Sequence, residues 1–295
     1  MHQDIYQLDK RLIRESFDRA AAKYDDVAIL QSEIGQRLLE RLKLIKLTPQ
    51  RIVDVGAGTG HLSQELAKRY KGCEIISLDL APAMLCQAIQ HQKLINRWLR
   101  KQYFICGDAE HLPLTDNSVD MVFSNFAIQW CSDLDQTFKE FQRVLKPNGL
   151  LLFTTFGPDT LNELRQSWRS VDNTVHVNSF IDMHDIGDAL LRAKLSDPVM
   201  DTEHLTLTYK NGIDIMRDLK AMGAHNVTLG RNHSLTGKQK LQCMLAAYEQ
   251  FRTPDGQLPA SYEVIYGHAW GTDAPPQQQQ GNSEIHISLS DLKRS

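Results

Sequence analysis

The sequence predicts an α/β fold in which helices cover a sheet of seven strands. In the first half of the chain, short apolar runs alternate with segments whose apolar residues recur every three or four positions, which is typical of strands followed by helices in a parallel sheet. After residue 157 the rhythm changes, and two more strand-like runs are separated by longer helical segments. The pattern therefore indicates one nucleotide-binding-type core with inserted helices, and not two independent domains.

Five strands and three intervening helices are predicted in the first half. The strands are expected at 51–56, 73–80, 101–108, 119–126 and 149–157, and the helices at 61–70, 82–99 and 133–146. The run Lys146-Pro147-Asn148-Gly149 is expected to end the third helix before the fifth strand, because Pro and Gly punctuate helix ends.

The second half is predicted to add two strands and a helical cap, inserted after strand 5 and between strands 6 and 7. The strands are expected at 197–210 and 260–271, and the helices near 158–170, 184–195, 213–223 and 236–251. Residues 1–273 are predicted to form a single domain, with 1–48 as N-terminal helices, 49–157 as ligand-binding core, 158–259 as cap plus strand 6, and 260–271 as strand 7. The low-complexity run APPQQQQGNS predicts a disordered tail over 274–295.

Composition excludes several classes of partner. The net charge of -3 gives the 295-residue chain no general attraction to nucleic acid or to an anionic membrane, so neither partner is expected. The five cysteines are odd in number and never form a CxxC pair, which argues against a disulfide framework and a zinc site. Without a signal-like segment or a long apolar stretch, the sequence predicts a cytoplasmic protein.

A glycine-rich loop follows the first predicted strand in VDVGAGTG (53–60). Gly56, Gly58 and Gly60 are spaced GxGxG, whereas a dinucleotide loop needs GxGxxG and a Walker loop needs Gly-Lys followed by Ser or Thr. Asp54 would repel a pyrophosphate but suits a ligand that carries positive charge. The loop therefore favours a cationic ligand over a phosphate.

Two further acids stand at the ends of neighbouring predicted strands. Asp79 ends the second strand, where a carboxylate can accept hydrogen bonds from both hydroxyls of a ribose. Asp108 ends the third, where it could accept from an exocyclic amino group. The carboxyl ends of strands in an open sheet meet in one crevice. An adenosine flanked by acids without a phosphate cradle indicates S-adenosylmethionine, whose sulfonium and ammonium groups are cationic.

Four segments together resemble the class I S-adenosylmethionine-dependent methyltransferases: VDVGAGTG, LDLAPAML, GDAEHLPL and FKEFQRVLKPNGLLLFTTFG, within about residues 15–157. The resemblance implies a Rossmann-like seven-stranded sheet in which the three glycines approach the methionine moiety and Asp79 binds the ribose. It also implies the remaining cofactor contacts: Leu80 and Met84 near the adenine, Asp108 and Ala109 at the adenine edge, and Asn125 near the methyl group.

The rest of the chain is similar to the malonyl acyl-carrier-protein O-methyltransferases of biotin synthesis. The similar segments are 17–31, 156–168, 176–190, 197–209, 219–231, 235–242 and 258–270. The resemblance implies methyl transfer to the free carboxylate of a malonyl group on acyl carrier protein or coenzyme A, N-terminal helices that fold over the cofactor, and no metal. The Gln-rich tail departs from the family, so nothing is carried over to it.

The reaction implied by the resemblance needs no general base, because a carboxyl group with a pKa of about 4 is already ionised at neutral pH. Tyr24 and Trp130 could close over the methyl and malonyl groups, or pack in the core. Arg165 and Arg169 follow the fifth strand and suit a carboxylate, although a solvated helix face explains them equally. Arg143 is interpreted as structural.

Four residues resemble a metal site by type alone: His176, Asp182, His184 and Asp185. The last two stand where a helix is predicted to begin, and an acid there caps free amides and favours the helix dipole. We therefore expect no metal at this cluster.

A docking surface for an acidic carrier protein is predicted in the cap, because residues 219–248 contain no Asp or Glu. Its positive residues are Lys220, Arg231, Lys238 and Lys240, with His225 and His233 nearby. A rival patch, equally free of acids, contains Lys93, Arg97, Arg100 and Lys101.

Three other functions remain open at the level of the sequence. A methyltransferase acting on a quinone or a free acid would share the N-terminal half. A dinucleotide oxidoreductase is disfavoured by the glycine spacing. A non-catalytic S-adenosylmethionine sensor is opposed only by the intact motifs of the second half.

Overall fold

The computed structural model describes residues 8–92, 101–224, 226–228 and 237–273, and its centre is a seven-stranded sheet in the order β3-β2-β1-β4-β5-β7-β6. The strands are β1 Arg51–Val55, β2 Glu74–Asp79, β3 Gln102–Cys106, β4 Val119–Asn125, β5 Leu145–Phe156, β6 Ser196–Tyr209 and β7 Leu258–Trp270. Strands β1 to β5 pair in parallel, and β7 runs antiparallel to both β5 and β6. The predicted fold class is confirmed.

Helices of the described ranges connect and cover the strands. They are α1 Lys10–Ala20, α2 Tyr24–Val27, α3 Ile29–Arg41, α4 His61–Arg69, α5 Pro82–His91, α6 Leu134–Val144, α7 Asn162–Arg169, α8 Met183–Arg192, α9 Gly212–Ala221 and α10 Lys238–Tyr248. Helix α6 shows how the sequence sets a boundary, since the Asp133 side chain accepts the Gln136 amide at 2.9 Å and so caps its first turn. The predicted helix at 82–99 is α5 up to His91, and its continuation over 93–100 lies outside the described residues.

The fifth strand begins earlier than the sequence predicts. Leu145 already pairs with Val119, and the register then shifts before Met121 meets Leu150. Asn148 adopts φ 60° in this irregular stretch, which permits a local turn without ending the strand. The predicted start at residue 149 is therefore wrong by four residues, because the Pro-Asn-Gly signal marks a bulge inside the strand.

The two faces of the sheet carry separate hydrophobic cores. One core joins α3, α4, α7, α9 and α10 to the sheet and includes Trp168, Met244 and Tyr248. The other contains Phe138 and Phe141 of α6 together with Ile186 and Leu190 of α8. The inserted helices are thus divided between both faces, a division that the sequence pattern does not predict.

The N-terminal segment lies over the carboxyl edge of the sheet. A small cluster packs Ala21, Ala81 and Met84 against Phe17 and Tyr24, which fixes α1 and α2 above the start of α5. The backbone of residue 9 donates to the carbonyl of residue 227 at 3.0 Å, so the segment also meets the inserted region. This placement closes a cavity over the glycine loop.

Candidate cofactor and acceptor site

The glycine loop is held by hydrogen bonds to the end of β2. Gly56 and the next residue donate to the Leu78 carbonyl at 2.8 and 3.0 Å, and Gly58 donates to Asp79 Oδ2 at 2.8 Å. Gly56 has φ 75°, and a Cβ there would come within 2.3 Å of the Ala127 Cβ, so only glycine fits. Gly56 and Gly58 consequently present bare backbone to the cavity.

Gly60 has a different position from the other two glycines. It precedes α4 with φ 79°, and a Cβ there would meet the Ala88 Cβ at 2.8 Å. Gly60 does not line the cavity, so the structure gives it a packing role between α4 and α5. Its contact with a cofactor stays a prediction.

Asp79 connects the glycine loop with the start of α5. Its Oδ1 accepts the Ala81 amide and its Oδ2 accepts the Gly58 amide, both at 2.8 Å. Burial raises its pKa to about 6, although both hydrogen bonds oppose the rise. Each oxygen retains a lone pair, so the ionised group can accept two hydroxyl donors from the cavity that it lines.

Asp54 is turned away from the cavity. It is 1% exposed, does not line the cavity, and accepts the Ser63 hydroxyl at 2.5 Å. Ser77 donates in turn to Ser63 at 2.8 Å, and burial raises the pKa of Asp54 to about 7. The structure therefore does not bring Asp54 together with the other predicted cofactor residues.

The residues predicted for adenine line the same cavity: Leu80, Met84, Asp108 and Ala109. Lys10 of α1 reaches Asp108 at 2.5 Å and Glu110 at 2.7 Å. Burial lowers the pKa of Lys10, but its bonds to these two acids outweigh that effect and leave the pKa above its ordinary value. Lys10 could not be predicted from sequence, since its partner Asp108 lies 98 residues away.

Aromatic side chains from the N-terminal helices and from the segment after β4 line the cavity. Phe17 makes edge contacts with Tyr24 and Trp130, with ring centroids 6.4 and 5.3 Å apart. Burial and the nearby Asp79 raise the pKa of Tyr24, so its hydroxyl is protonated at neutral pH. Asn125, at the end of β4, also lines the cavity, and its side-chain amide donates to the backbone carbonyl of Gln31 at 3.0 Å.

A second cavity adjoins the first. The cofactor cavity is narrow, about 110 Å³, whereas its neighbour measures about 900 Å³. Five residues line both and form the junction: Gln31, Trp130, Phe156, Met222 and Ala224. We call the larger space the acceptor cavity; the sequence alone gave no indication of it.

The two cavities differ in charge. The cofactor cavity has two carboxylates, Asp79 and Asp108, and one cation, which is paired with the latter. Among the described residues, the lining of the acceptor cavity contains no Asp or Glu and four cations: Arg19, Lys23, Arg217 and Lys220. Arg19 and Arg217 pair with acids outside this lining, Glu15 and Asp214. The acceptor cavity therefore favours an anion, and the cofactor cavity favours a cation.

The arginines predicted for the substrate lie outside both cavities. Arg165 donates to the carbonyls of Pro158 and Thr160 at 2.7 and 2.9 Å, and no carboxylate of the described ranges lies within ion-pair distance of it. Burial and the charge of Arg169 lower its pKa, so an anion nearby would stabilise it. Its role as a substrate contact stays a prediction.

Arg143 is held by acids and backbone carbonyls. It contacts Glu140 and Asp116 at 2.7 Å and donates to the carbonyls of Leu112 and Leu114. These bonds tie α6 to the loop before β4, which is the structural role that the sequence indicates.

The cluster that resembles a metal site by residue type is not brought together. Asp182 caps α8 by accepting the backbone and ring nitrogens of His184 at 2.8 Å. His176 instead pairs with Asp172 and stacks on Trp168 at 3.8 Å. Within the described part of the chain, the side chains close enough to share an ion are Asp159, His204 and Glu263. None of them belongs to the predicted cluster.

The two predicted docking patches are only partly described. Lys220 lines the acceptor cavity, Lys238 begins α10, and Lys240 pairs with Asp172 at 2.8 Å. Lys101 lies 3.5 Å from Glu74. The other members lie outside the described residues: Lys93, Arg97, Arg100, His225, Arg231 and His233.

Comparison with known proteins decides the family. A methyltransferase domain model matches residues 53–153. A malonyl-[acyl-carrier protein] O-methyltransferase of Methylovorus sp. (strain MP688) is 52% identical, covering 97% of each chain. One of Gallionella capsiferriformans (strain ES-2) is 50% identical, covering 96% of this chain and 98% of the relative. The chain belongs to the malonyl-[acyl-carrier protein] O-methyltransferase family.

Membership in this family confirms the predicted resemblance. It also confirms the prediction that the protein is an S-adenosylmethionine-dependent O-methyltransferase. The fold agrees: the YcgJ protein of Bacillus subtilis superposes with a TM-score of 0.57 at 19% identity, covering 80% of this chain and 98% of that protein.

Two further predictions concern the cell compartment. All five cysteines are unpaired, as the absence of a CxxC pattern predicts. Among the helices of the described ranges, none combines the length and apolar character needed to cross a membrane.

Proposed function

We propose that the protein transfers the methyl group of S-adenosylmethionine to the free carboxylate of a malonyl thioester on acyl carrier protein, giving the malonyl methyl ester used in biotin synthesis. The observation that carries this proposal is the junction of an acidic cavity and a cationic cavity at Gln31, Trp130 and Phe156. A cationic methyl donor on one side and an anionic acceptor on the other match this arrangement.

The cofactor is proposed to lie along the narrow cavity. Asp79 would accept both ribose hydroxyls, Asp108 and Ala109 would contact the adenine edge, and Leu80 and Met84 would pack on the ring. The methionine part would then lie over Gly56 and Gly58, where bare backbone permits close approach. The sulfonium methyl would point past Asn125 toward the acceptor cavity.

The chemistry at the junction requires placement rather than proton transfer. A malonyl carboxylate with a pKa of about 4 is ionised at neutral pH, so its oxygen attacks the methyl carbon directly while the bond from carbon to sulfur breaks. The positive sulfonium and the negative carboxylate both lose charge in this step. An aromatic, water-poor junction favours that loss, and alignment of the reactants can supply roughly 7–11 kcal/mol. Tyr24 and Trp130 are proposed to enclose the reacting groups.

The partner is proposed to dock at the mouth of the acceptor cavity. Lys23 and Lys220 are exposed, line this cavity, and have no carboxylate within ion-pair distance among residues 8–92, 101–224, 226–228 and 237–273. Carrier proteins and coenzyme A both present their thioester on an arm that carries phosphate. Unpaired rim cations suit that phosphate and steer an acidic partner. We further propose a cytoplasmic reaction without a metal, a membrane or nucleic acid.

The proposal is tested by offering several acceptors with labelled S-adenosylmethionine. We expect label on malonyl carrier protein and weaker labelling of malonyl coenzyme A, because only the former presents a protein surface. Free malonate and a simple phenol serve as comparison acceptors, since neither has an arm to fill the acceptor cavity. Efficient turnover of either would instead support a small-molecule methyltransferase.

A further inference from the structure

One polar atom is left without a partner at the junction of the two cavities. The side-chain oxygen of Gln31 is buried and has no hydrogen-bond donor among the described residues, and it is the one side-chain atom there with that property. The amide nitrogen of the same side chain donates to the Met222 sulfur at 3.4 Å. A thioether is a weak acceptor, so most of the hydrogen-bonding capacity of this amide is unused.

The backbone of Gln31 is fixed by the ends of two strands. Its carbonyl accepts the Asn125 side-chain amide at 3.0 Å, and Asn125 accepts the Thr154 hydroxyl at 2.8 Å. Thr154 in turn accepts the Phe126 amide at 3.1 Å. This chain of bonds holds the first turn of α3 against β4 and β5, so the backbone from which the Gln31 side chain extends has a defined position.

The position is the end of the cofactor cavity opposite the adenine residues. Gln31 lines the cavity and is bonded to Asn125 at the end of β4, whereas Asp108 follows β3, and two strands separate β3 from β4 in the sheet. With Asp54 turned toward Ser63, no carboxylate among the described lining residues serves the methionine end. The α-ammonium group of the cofactor therefore lacks a charged partner there, while a buried acceptor stands unused.

The geometry points to Gln31 as the residue that binds the α-ammonium group of S-adenosylmethionine, with its side-chain oxygen as the acceptor. This inference rests on the proposed cofactor. A buried acceptor without a donor is unfavourable, and a charged N–H donor would satisfy it on binding. A neutral amide also suits the junction, because a carboxylate at residue 31 would repel the malonyl group.

Calorimetry with three cofactor analogues tests the inference without any acyl substrate. S-adenosylhomocysteine has the whole amino acid part, decarboxylated S-adenosylmethionine keeps only the amine, and methylthioadenosine lacks both groups. Gln31→Leu is expected to weaken the first two ligands by about 10- to 100-fold and to leave methylthioadenosine unchanged. Gln31→Glu retains an acceptor and should bind the first two at least as tightly as the native chain.

Gln36→Leu is the matched control, because Gln36 lies on the same helix, contacts His61 and lines neither cavity. It should bind all three ligands normally. An equal loss of all three ligands in Gln31→Leu, unchanged binding of S-adenosylhomocysteine, or a Gln31→Glu variant as weak as Gln31→Leu would each overturn the inference. Failure of the native chain to bind S-adenosylhomocysteine would contradict the cofactor itself, whereas a wrong malonyl assignment would not affect these results.

Discussion

At the residue scale, Asp79 has a structural role and is also the residue proposed to bind the ribose. Its two oxygens hold the backbone of the glycine loop and of the α5 start, and it lines the cavity where the ribose is proposed to lie. The Asp79→Asn variant keeps one carbonyl acceptor but loses the charge. Since a charged hydrogen bond contributes about 1.5–3 kcal/mol, we expect S-adenosylhomocysteine to bind at least about tenfold more weakly. Unchanged affinity by calorimetry would reject the placement.

The pH dependence of cofactor binding follows from the same carboxyl group. Its pKa of about 6 in the free protein lies above the ordinary value, because burial disfavours the charge. Only the ionised form accepts both hydroxyls, so affinity should be full above pH 6 and fall as the pH drops through 6, by up to tenfold per unit. The titratable groups nearby are Asp18, Asp54 and Tyr24. A slope that persists in Asp79→Asn would assign the dependence to one of them.

Arg165 tests how the acceptor carboxylate is held. If Arg165 binds the malonyl carboxylate, Arg165→Ala is expected to lower kcat/KM for malonyl carrier protein with little change in the affinity for S-adenosylhomocysteine, because Arg165 does not line the cofactor cavity. The guanidinium also bonds two loop carbonyls, so the melting temperature must be measured alongside. Arg169→Ala, at the exposed end of α7, is measured in parallel, because Arg169 is the other predicted partner of the carboxylate. A lower melting temperature with unchanged kcat/KM would leave Arg165 a purely structural role.

At the scale of elements, α1 is fastened over the cofactor cavity by Lys10. The ammonium contacts Asp108 and Glu110 at once, and Glu110 also accepts the backbone amides of residues 132 and 133. Lys10→Met should leave both acids unpaired and loosen α1. We expect faster hydrogen exchange of the α1 amides and faster release of S-adenosylhomocysteine.

Arg11→Met controls for a simple loss of positive charge on α1, since Arg11 is 79% exposed and its contact with Glu15 spans 3.8 Å. That variant should exchange and release ligand like the native chain. Equal exchange rates in the Lys10 and Arg11 variants would show that the ion pair does not hold the helix.

The sequence predicted the elements and the presence of Asp79 and Asp108 in one cavity, because both depend on local pattern; their contacts with a cofactor stay a prediction. Asp79 and Asp108 end adjacent strands, and strand order alone brings such ends together. Residues whose role depends on distant packing were not predictable. Lys10 reaches an acid 98 positions away, and Gln31 reaches its site through a helix bonded to Asn125 of β4. Asp54 was predicted to face the ligand, but its side chain bonds to Ser63 and does not line the cavity. The loop pattern does not reveal this bond.

At the scale of the whole molecule, positive charge gathers at the acceptor cavity although the net charge is negative. The chain carries a net charge of -3, yet the acceptor cavity is lined by cations and by no acid in the part of the chain that the structure describes. Reversing Lys23 and Lys220 to Glu should raise KM for malonyl carrier protein and flatten its salt dependence, because screening then has less attraction to remove. Lys43→Glu is a control outside both cavities. The same result in the control would show an effect of net charge only.

The earlier docking prediction is tested in the same assay. Reversing Arg231, Lys238 and Lys240 should have the larger effect on KM if the predicted cap surface binds the carrier. Lys240 already pairs with Asp172, so its charge is less available than that of the rim lysines. We expect KM to rise more in the variant with Lys23 and Lys220 reversed. A larger rise in the variant with Arg231, Lys238 and Lys240 reversed would place the docking surface on the cap.

The most direct test of the central claim compares malonyl with acetyl carrier protein in the presence of labelled S-adenosylmethionine. The two substrates share the carrier and the arm and differ in the free carboxylate that the cationic cavity is proposed to bring to the methyl group. We predict base-labile label on malonyl carrier protein and none on acetyl carrier protein, as expected for a methyl ester. Equal labelling of both, or label on malonyl carrier protein that resists base, would contradict methyl transfer to the carboxylate.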